Sequence, residues 1–252
     1  MRDCDGQICR DGGHLRRVAA GIVAAAWVTS IFGCGVGEYR QRIEKQVQEL
    51  GTTSDAVGLY SAQPLGNKPI AVRVPQSFKR QPLVAGVQVA GEEAPPSDAR
   101  VQTGLIDIPG LTYTYEEFVA DAEGGQIPYY LYLGAADKTQ PNFRDPASRW
   151  INQLKERFPG QEVAWEDVRC DTSDGQSVAW RRIRVEGDQD FHYVGKDGQG
   201  RAVKMPGVFE VYYRVDGNWA VVLAWRVPTS IAQHVDLHKW APIVAGTVDF
   251  KG

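Results

Sequence analysis

Long apolar runs, cysteines and an excess of charge of one sign are all scarce in this 252-residue chain, and each shortage excludes a class of protein. Only one uncharged stretch approaches the roughly twenty residues that a membrane helix needs, so a polytopic membrane protein is excluded. The 28 Lys and Arg residues face 31 Asp and Glu residues, which is not the basic excess typical of nucleic-acid binding. The hydrophobic content of 43% is too high for a disordered chain.

Sequence motifs of common enzymes are also absent. The chain has no Gly-x-Ser-x-Gly nucleophile elbow and no P-loop. The glycine-rich segment at 195–200 lies between strand-like residues, which favours a hairpin turn over a phosphate-binding loop. We therefore expect no cofactor and no metal, and we favour a protein that is not an enzyme, with an enzyme of unrecognised type left open.

The N-terminus has the layout of an export signal. A polar segment that ends in Arg16 and Arg17 precedes an uncharged apolar run at 18–32. This run is short for a transmembrane helix, and the two arginines favour the cytoplasmic side of the membrane. We therefore expect everything after residue 34 to be delivered across the membrane.

A cysteine follows this apolar run. The residues Ile31-Phe32-Gly33-Cys34 resemble the lipobox of bacterial lipoprotein signal peptides. The resemblance implies that residues 1–33 are a cleaved signal peptide and that the Cys34 thiol is the attachment site of a diacylglycerol with fatty acyl chains. The alternatives are a free Cys34 thiol behind an uncleaved anchor helix, and ordinary cleavage.

The location and partners follow from the anchor. A lipidated Cys34 predicts a protein of the cell envelope, anchored to the membrane on the extracytoplasmic, periplasm-facing side. We expect no nucleic-acid partner, and the sequence does not identify a protein partner. Once residues 1–33 are removed and Cys34 is lipidated, Cys170 is the only cysteine left, so a packed core must replace a disulfide framework.

The mature chain divides into a tether and one domain. Residues 34–67 are predicted to form a tether with a short amphipathic helix at 38–50, where apolar residues recur at helical spacing. Residues 68–252 are predicted to form a single globular domain. A segment near 79–104 is rich in Gly, Pro and small polar residues, which indicates a long loop.

The pattern within the domain predicts an α+β fold, an antiparallel β-sheet meander with helices packed on it. A hairpin is expected from strands at 111–119 and 127–133, and a helix at 145–158, where Asp145 is a good N-cap and Pro146 fits the first turn. Asp-Gly pairs at 174, 197 and 216 predict tight turns between the later strands, at 163–170, 177–185, 190–193 with 202–204, 208–215 and 219–227. A short helix from 229 or 230, ended or kinked by Pro242, closes the chain.

This order of elements over residues 68–245 loosely resembles the PsbP-like α/β/α sandwich, in which a strand-rich half leads to a helix, a meander and a closing helix. No diagnostic motif accompanies the resemblance, so it implies a fold and assigns no functional residue.

Two groups of residues could carry chemistry. His234 and His238 are four apart on a predicted helix, the spacing of two metal ligands, but Val235 stands where a zincin places its glutamate. A polar stripe on a helix is the favoured interpretation. Cys170 and His192 could form a nucleophilic pair, yet a lone strand cysteine usually behaves as a small buried hydrophobe.

Carboxylates and aromatics give weaker signals. Glu116 and Glu117, like Glu92 and Glu93, are adjacent, and neighbours on a strand point to opposite faces, so neither pair is expected to act as an acid–base couple. The alternation of the tryptophans with apolar residues indicates core positions; these are Trp150, Trp165, Trp180, Trp219, Trp225 and Trp240. At least one of Tyr129, Tyr130 and Tyr132 is expected to face solvent, because one strand cannot direct all three inward.

The leading functional hypothesis is therefore an exported, lipid-anchored envelope protein that acts by contact as a non-enzymatic accessory or scaffold. The alternative is a module that binds a small ligand, a glycan or a peptide on an aromatic sheet face, or beneath the 79–104 loop. A third hypothesis is an enzyme that uses Cys170 or the histidines.

Overall fold

Strands dominate the part of the chain that the structure, a computed structural model, describes, namely residues 59–78, 83–84 and 100–250. The described residues belong to one compact unit. Their ten strands are β1 Gln63–Pro64, β2 Ile70–Val72, β3 Leu83–Val84, β4 Leu111–Ala120, β5 Gln126–Asp137, β6 Glu166–Asp171, β7 Ser177–Val194, β8 Gly200–Asp216, β9 Trp219–Pro228 and β10 Asp249–Phe250. The α-helices in this part are α1 Ala147–Arg157 and α2 Leu237–Gly246.

The strands form two antiparallel sheets. The large sheet has seven strands in the order β3-β4-β5-β9-β8-β7-β6, and the small sheet has the order β1-β2-β10. The predicted α+β class with an antiparallel meander is therefore present. The molecule is richer in strand than an α/β/α sandwich, because the small sheet shares one of the two outer layers with a helix.

The two faces of the large sheet are covered by different elements. On one face, which we call the α1 face, α1 packs through Trp150, Leu154 and Ala147. On the other, the α2 face, the small sheet and α2 pack through residues such as Val72 and Val244. Two separate hydrophobic cores result, one on each side of the sheet.

This double cover overturns the expectation that a tyrosine of β5 faces solvent. Tyr129 points to the α2 face and is 5% exposed, whereas Tyr130 and Tyr132 point to the α1 face and are 1% and 0% exposed. Alternation along the strand does send the rings to opposite sides. Both sides are buried, so none of the three rings reaches the surface.

The three predicted Asp-Gly turns are confirmed. Each connects neighbouring antiparallel strands, and the glycines at 175, 198 and 217 have φ values of 79°, 77° and 51°. Such positive φ angles favour glycine and define tight hairpin connections.

The long hairpin of β7 and β8 is continuous, whereas the sequence predicted breaks in both strands. Gly187 and Gly207 lie opposite each other within an unbroken ladder. Pro206 is tolerated because it lies just beyond the last β8–β9 pair, Gly207 with Pro228, where β8 becomes an edge. Gly207 is also required for packing, since a Cβ atom there would lie 2.7 Å from the Phe191 ring.

The folded domain begins earlier than predicted. Leu59 and Leu65 are buried in the core of the α2 face, and β1 pairs with β2. Residues 59–67 are therefore part of the domain and not of a tether. Within the predicted 79–104 loop, β3 adds an edge strand to β4. The signal peptide, Cys34 and the predicted helix at 38–50 lie outside the described residues.

Both helices start later than the sequence pattern predicts. The Asp145 carboxylate accepts a hydrogen bond from the Ala147 backbone N–H at 3.0 Å, but the N-cap residue of α1 is Pro146 and not Asp145 as predicted, and the helix begins at Ala147. Residues Thr229–Ile231 form a separate 3₁₀ turn, and α2 begins only after Asp236, whose φ of 50° interrupts the helical path. Pro242 lies inside α2 without ending it.

Candidate functional site

Cys170 is a buried residue of the core on the α2 face. It is 1% exposed, and burial, with a further contribution from the neighbouring Asp171 carboxylate, raises the pKa of the thiol to about 12. Cys170 lies opposite Val178 at the start of β7, and His192 lies near the other end of the same strand. The structure therefore does not bring Cys170 and His192 together, and no nucleophilic pair forms.

The two histidines do not share a helix face. His234 lies in the turn before α2 and His238 in its first turn, with the left-handed Asp236 between them. The metal-ligand spacing assumed one continuous helix, which this break removes. Within the described ranges, no group of three or more His, Cys, Asp or Glu residues is placed to hold a metal ion.

The other candidates have structural positions. The 195–200 segment is a hairpin turn, closed by a hydrogen bond from the Gly195 N–H to the Gln199 carbonyl at 3.0 Å. Glu116 and Glu117 do point to opposite faces of the sheet, since they lie beside Tyr130 and Tyr129 respectively. The predicted hairpin turn at 195–200 and the predicted opposite orientation of Glu116 and Glu117 are confirmed. Glu92 and Glu93 lie outside the described residues.

The aromatic sheet face of the alternative hypothesis is not open to a ligand. Trp150, Trp180 and Trp225 are fully buried between layers. Trp240 lies at the edge of the α2 face and is only partly buried, as Trp165 and Trp219 also are. Partly exposed indole rings therefore lie at the margins of the layers and not across an open sheet face.

Trp240 borders a cleft of about 340 Å³ at that edge. We call it the aromatic cleft. Three separate parts of the chain supply its walls: the residues after β2, the β4–β5 hairpin and the C-terminal segment around the start of α2. Its lining residues are Ser77, Glu117, Phe118, Val119, Tyr129, His234, Val235 and Trp240.

Strand register and core packing position the cleft residues. Glu117 of β4 lies directly opposite Tyr129 of β5, so both side chains lie on the α2 face. The Tyr129 ring packs against Phe78 with 5.3 Å between ring centroids. A side-chain hydrogen bond joins Ser77 to Tyr129, and the backbone N–H of Phe118 donates to Glu117 Oε1 at 3.1 Å.

The electrostatics of the cleft combine a carboxylate with aromatic rings. Burial raises the pKa of the Tyr129 phenol, the hydrogen bond with Ser77 partly offsets this increase, and the Glu117 charge adds to it. Lys239 Nζ lies 5.4 Å from the centroid of the Trp240 ring, so the indole already attracts an ammonium group.

Ser77, His234 and Glu117, which line the aromatic cleft, are the residue types of a hydrolytic triad. A triad requires a base that hydrogen-bonds the nucleophile. The Ser77 hydroxyl is instead engaged with the Tyr129 phenol. This hydrogen bond is therefore not the nucleophile–base contact that a triad requires.

Sequence reasoning missed this cleft because it depends on contacts between distant segments. One signal was present: Glu117 alternates with Tyr115 and Val119 on the side of β4 that faces the core. An acidic residue that alternates with apolar residues along a strand indicates a polar group beside the core. Such a buried polar group is a more informative signal than an exposed apolar residue.

A second polar group on the α2 face has a different character. The Glu210 carboxylate is 2% exposed and accepts a hydrogen bond from the Tyr212 hydroxyl at 2.7 Å. It also lies 3.1 Å from Arg184 Nη1 and 3.6 Å from Arg182 Nη1. We call these four residues the ionic cluster. Their polar groups contact one another, and none of the four residues lines the aromatic cleft.

Comparison with known proteins adds little to this geometry. No protein-family model and no curated protein matches the sequence. Among solved structures, the solution structure of cyanobacterial PsbP (CyanoP) from Synechocystis sp. PCC 6803 is similar, with 9% identity, a TM-score of 0.37 and coverage of 77% of this chain and 92% of that chain. A loose likeness of folds is all that this similarity describes. In residues 59–78, 83–84 and 100–250, neither α-helix has the length and apolar character of a membrane span.

Proposed function

We propose that this protein is an exported, lipid-anchored envelope protein whose folded domain binds a small ligand in the aromatic cleft and has no catalytic role. The anchor rests on the apolar run at 18–32 and the lipobox-like residues that end in Cys34. The binding role rests on the aromatic cleft. These two parts of the proposal are tested separately.

The convergence of Trp240, Tyr129 and Glu117 on one cleft is the observation that carries the binding role. Ligand sites in proteins are typically concave, with aromatic walls and a few placed polar groups. A volume of about 340 Å³ suits a small molecule or the end group of a larger one. The cleft favours ligand binding over a purely scaffolding role.

The absence of a catalytic role is supported by the state of the candidate nucleophiles. Cys170 is buried with a raised thiol pKa, and Ser77 is hydrogen-bonded to Tyr129. A nucleophile needs a lowered pKa or an adjacent base. The Cys170 thiol has a raised pKa, and the Ser77 hydroxyl is occupied by its hydrogen bond with Tyr129.

Mass spectrometry of the mature protein from its own membranes tests the anchor. We expect the chain to begin at Cys34 with a diacylglycerol on its thiol, and we expect the Cys34→Ser variant to keep its first 33 residues and gain no lipid. A mature chain that starts elsewhere, or that carries an unmodified Cys34, contradicts the anchor.

Ligand titration of the detergent-solubilised mature protein tests the binding role. Choline chloride, N-acetylglucosamine and diglycine represent a cation, a sugar and a peptide, and the indole N–H signal of Trp240 reports on the cleft. We expect saturable binding of at least one compound and its loss in Trp240→Ala. If none of the three compounds binds, the binding role is wrong and the scaffold hypothesis replaces it.

A further inference from the structure

We propose that the unpaired edge of β8 is a docking site for an extended acidic segment of another protein, which adds a strand to the large sheet. The residues Gly200–Met205, which we call the free edge, form this site. None of them lines the aromatic cleft, so the inference goes beyond the proposed function and does not depend on it.

The free edge exists because β8 is longer than its neighbour β9. The two strands pair from Asp216 to Gly207, where Pro228 ends β9 and the chain enters the 3₁₀ turn. β8 extends beyond this point as far as Gly200, and there it pairs with β7. Across the described part of the chain, no strand pairs with the other side of this extension. Such an edge is the template that strand addition uses.

The direction of the backbone groups follows from the register of β7 and β8. In β7, the His192 N–H donates to a tyrosine hydroxyl of β5, and the Asp190 carbonyl accepts from an arginine of β9. Both residues therefore direct their backbone groups away from β8. Their partners in β8 are Ala202 and Lys204. Opposite residues of an antiparallel ladder either bond to each other or both point outwards, so Ala202 and Lys204 present their N–H and C=O groups at the free edge.

The free edge is exposed, and the strand behind it is held in place. Arg201, Ala202 and Lys204 are exposed, as is Gly200. In β7, Phe191 stacks on Tyr130 with 6.4 Å between ring centroids, and the hydroxyl of Tyr193 donates to a carboxylate oxygen of Asp121 at 2.7 Å. A preformed edge loses little conformational freedom when a segment binds to it, which favours affinity.

The charges of the free edge determine the chemistry of the added strand. Arg201 and Lys204 are its charged residues, and both are basic. Asp190 lies opposite Lys204 and offsets part of its charge. Arg201 lies opposite Tyr193, with its guanidinium 5.5 Å from the centroid of that ring. A carboxylate directly across from Arg201 in an added strand is therefore a favourable cross-strand pair.

The same residues disfavour a second copy of this chain as the occupant. Pairing of two free edges brings the Arg201 and Lys204 side chains of both copies into one small area. Pro206, next to the free edge, has no N–H to offer. Lysine and proline at an edge are devices by which natural proteins prevent self-association. A strand of opposite charge does not meet this repulsion, so an acidic segment fits the free edge.

Amide hydrogen exchange tests the docking site. The probe is the blocked peptide acetyl-Thr-Val-Glu-Val-Thr-Glu-Val-Thr-amide, whose glutamates have the same spacing as Arg201 and Lys204. The detergent-solubilised mature protein is titrated with this peptide, and exchange of the backbone amides is followed by NMR. We expect saturable binding that slows exchange at Ala202 and Lys204 at least about tenfold, because these N–H groups then donate to the peptide. The amides of Arg201 and Val203, which face β7, should be protected with and without peptide.

Two altered peptides separate backbone pairing from charge. A peptide with methylated backbone nitrogens has no donors for the free edge, and we expect no binding. A peptide with Gln in place of both Glu residues keeps these donors and is expected to bind about fivefold more weakly.

Variants assign the binding to the free edge. Arg201→Gln should weaken binding of the acidic peptide about threefold and leave binding of the Gln peptide unchanged. Arg169→Gln, the same change at an exposed residue of the edge strand β6, is the control and should bind like the wild type. Ala202→Pro removes one outward N–H and no hydrogen bond between β7 and β8, so it should weaken binding at least about tenfold.

The outcomes are decisive. Absence of saturable binding, binding without protection of Ala202 and Lys204, or equal binding of the methylated peptide overturns the docking site. Equal affinity for the acidic and Gln peptides overturns the acidic chemistry. Protection of Ala202 and Lys204 that grows with protein concentration alone identifies a second copy as the occupant and also overturns the proposal. Arg201→Gln removes only an exposed charge, so it keeps the test decisive if Ala202→Pro fails to fold.

Discussion

The ionic cluster and the aromatic cleft lie on the same face of the large sheet and use similar residue types in opposite ways. In the ionic cluster, the Glu210 carboxylate is enclosed by Tyr212 and two arginines. In the aromatic cleft, the Glu117 carboxylate borders a volume of about 340 Å³ beside Trp240. The Glu210 carboxylate has its partners within the ionic cluster, whereas the Glu117 carboxylate borders a concave space.

This contrast shows how a polar group on a buried face can be interpreted. A buried charge whose partners lie within the protein is costly to disturb, because removal of one partner leaves the others uncompensated. A charge at the rim of a cleft keeps part of its hydration and costs little when it is removed. Stability measurements should therefore distinguish the ionic cluster from the aromatic cleft.

The largest expected effect is the loss of Glu210. Glu210→Ala should lower the free energy of unfolding by about 2–4 kcal/mol, because Arg182, Arg184 and the Tyr212 hydroxyl lose their common partner. The denaturant midpoint in urea measures this change. We expect an effect below the upper end of this range, since both arginines are partly exposed and hold second carboxylates.

A matched control separates burial from charge. Glu186 forms an ion pair with Arg184 but its side chain is 55% exposed. Glu186→Ala should therefore change the free energy of unfolding by less than about 0.5 kcal/mol. If Glu210→Ala and Glu186→Ala have equal effects, the ionic cluster does not hold the fold as described.

The second prediction concerns Cys170, which lies close enough to the ionic cluster for the Arg182 and Glu210 charges to act on its thiol. Because burial raises the thiol pKa to about 12, the native protein should react with a thiol reagent at pH 8 at least about a hundredfold more slowly than the denatured chain. Rapid labelling of Cys170 in the native protein would contradict this interpretation.

The same pKa predicts a pH dependence with a defined sign. The folded chain holds the Cys170 proton more tightly than the unfolded chain, so the thiol contributes its full stability below the ordinary thiol pKa. That contribution is lost as the pH rises from about 9 towards 12. Tyr115, whose pKa burial also raises to about 12, acts in the same direction. Cys170→Ala should reduce the decline in stability measured over this pH window.

The smallest expected effects belong to the aromatic cleft. Glu117→Gln and His234→Ala should each change the free energy of unfolding by less than about 0.5 kcal/mol, because both side chains retain access to solvent. Urea denaturation of the two variants checks this expectation. A loss of more than about 2 kcal/mol from either variant would show that the cleft residues stabilise the fold as the ionic cluster does.

Local chemistry made part of this fold predictable. The Asp-Gly turns at 174, 197 and 216 depend on neighbouring residues, and the structure has all three. The Asp145 side chain also bonds the start of α1, although the N-cap lies one residue later than predicted. Glu116 and Glu117 were likewise assigned to opposite faces from strand alternation alone.

Features that depend on distant contacts could not be predicted. The burial of Tyr129, Tyr130 and Tyr132 requires both faces of the sheet to be covered, and alternation along one strand does not reveal the layers. The interruption at Asp236 separates His234 from His238, although their spacing fits a helix. The aromatic cleft depends on the register of β4 and β5 and on the path of the C-terminal segment. Neither feature can be inferred from residues that are neighbours in the sequence.

The most direct test of the contrast between the two regions is a titration of the mature protein with choline chloride, N-acetylglucosamine and diglycine in turn, followed by the indole N–H signals of isotope-labelled tryptophan. We predict that the Trp240 signal shifts and saturates with at least one compound, whereas the signal of Trp180, which packs against Tyr212 of the ionic cluster, does not move. A constant Trp240 signal with all three compounds, or a saturable shift of Trp180 in its place, would contradict the account.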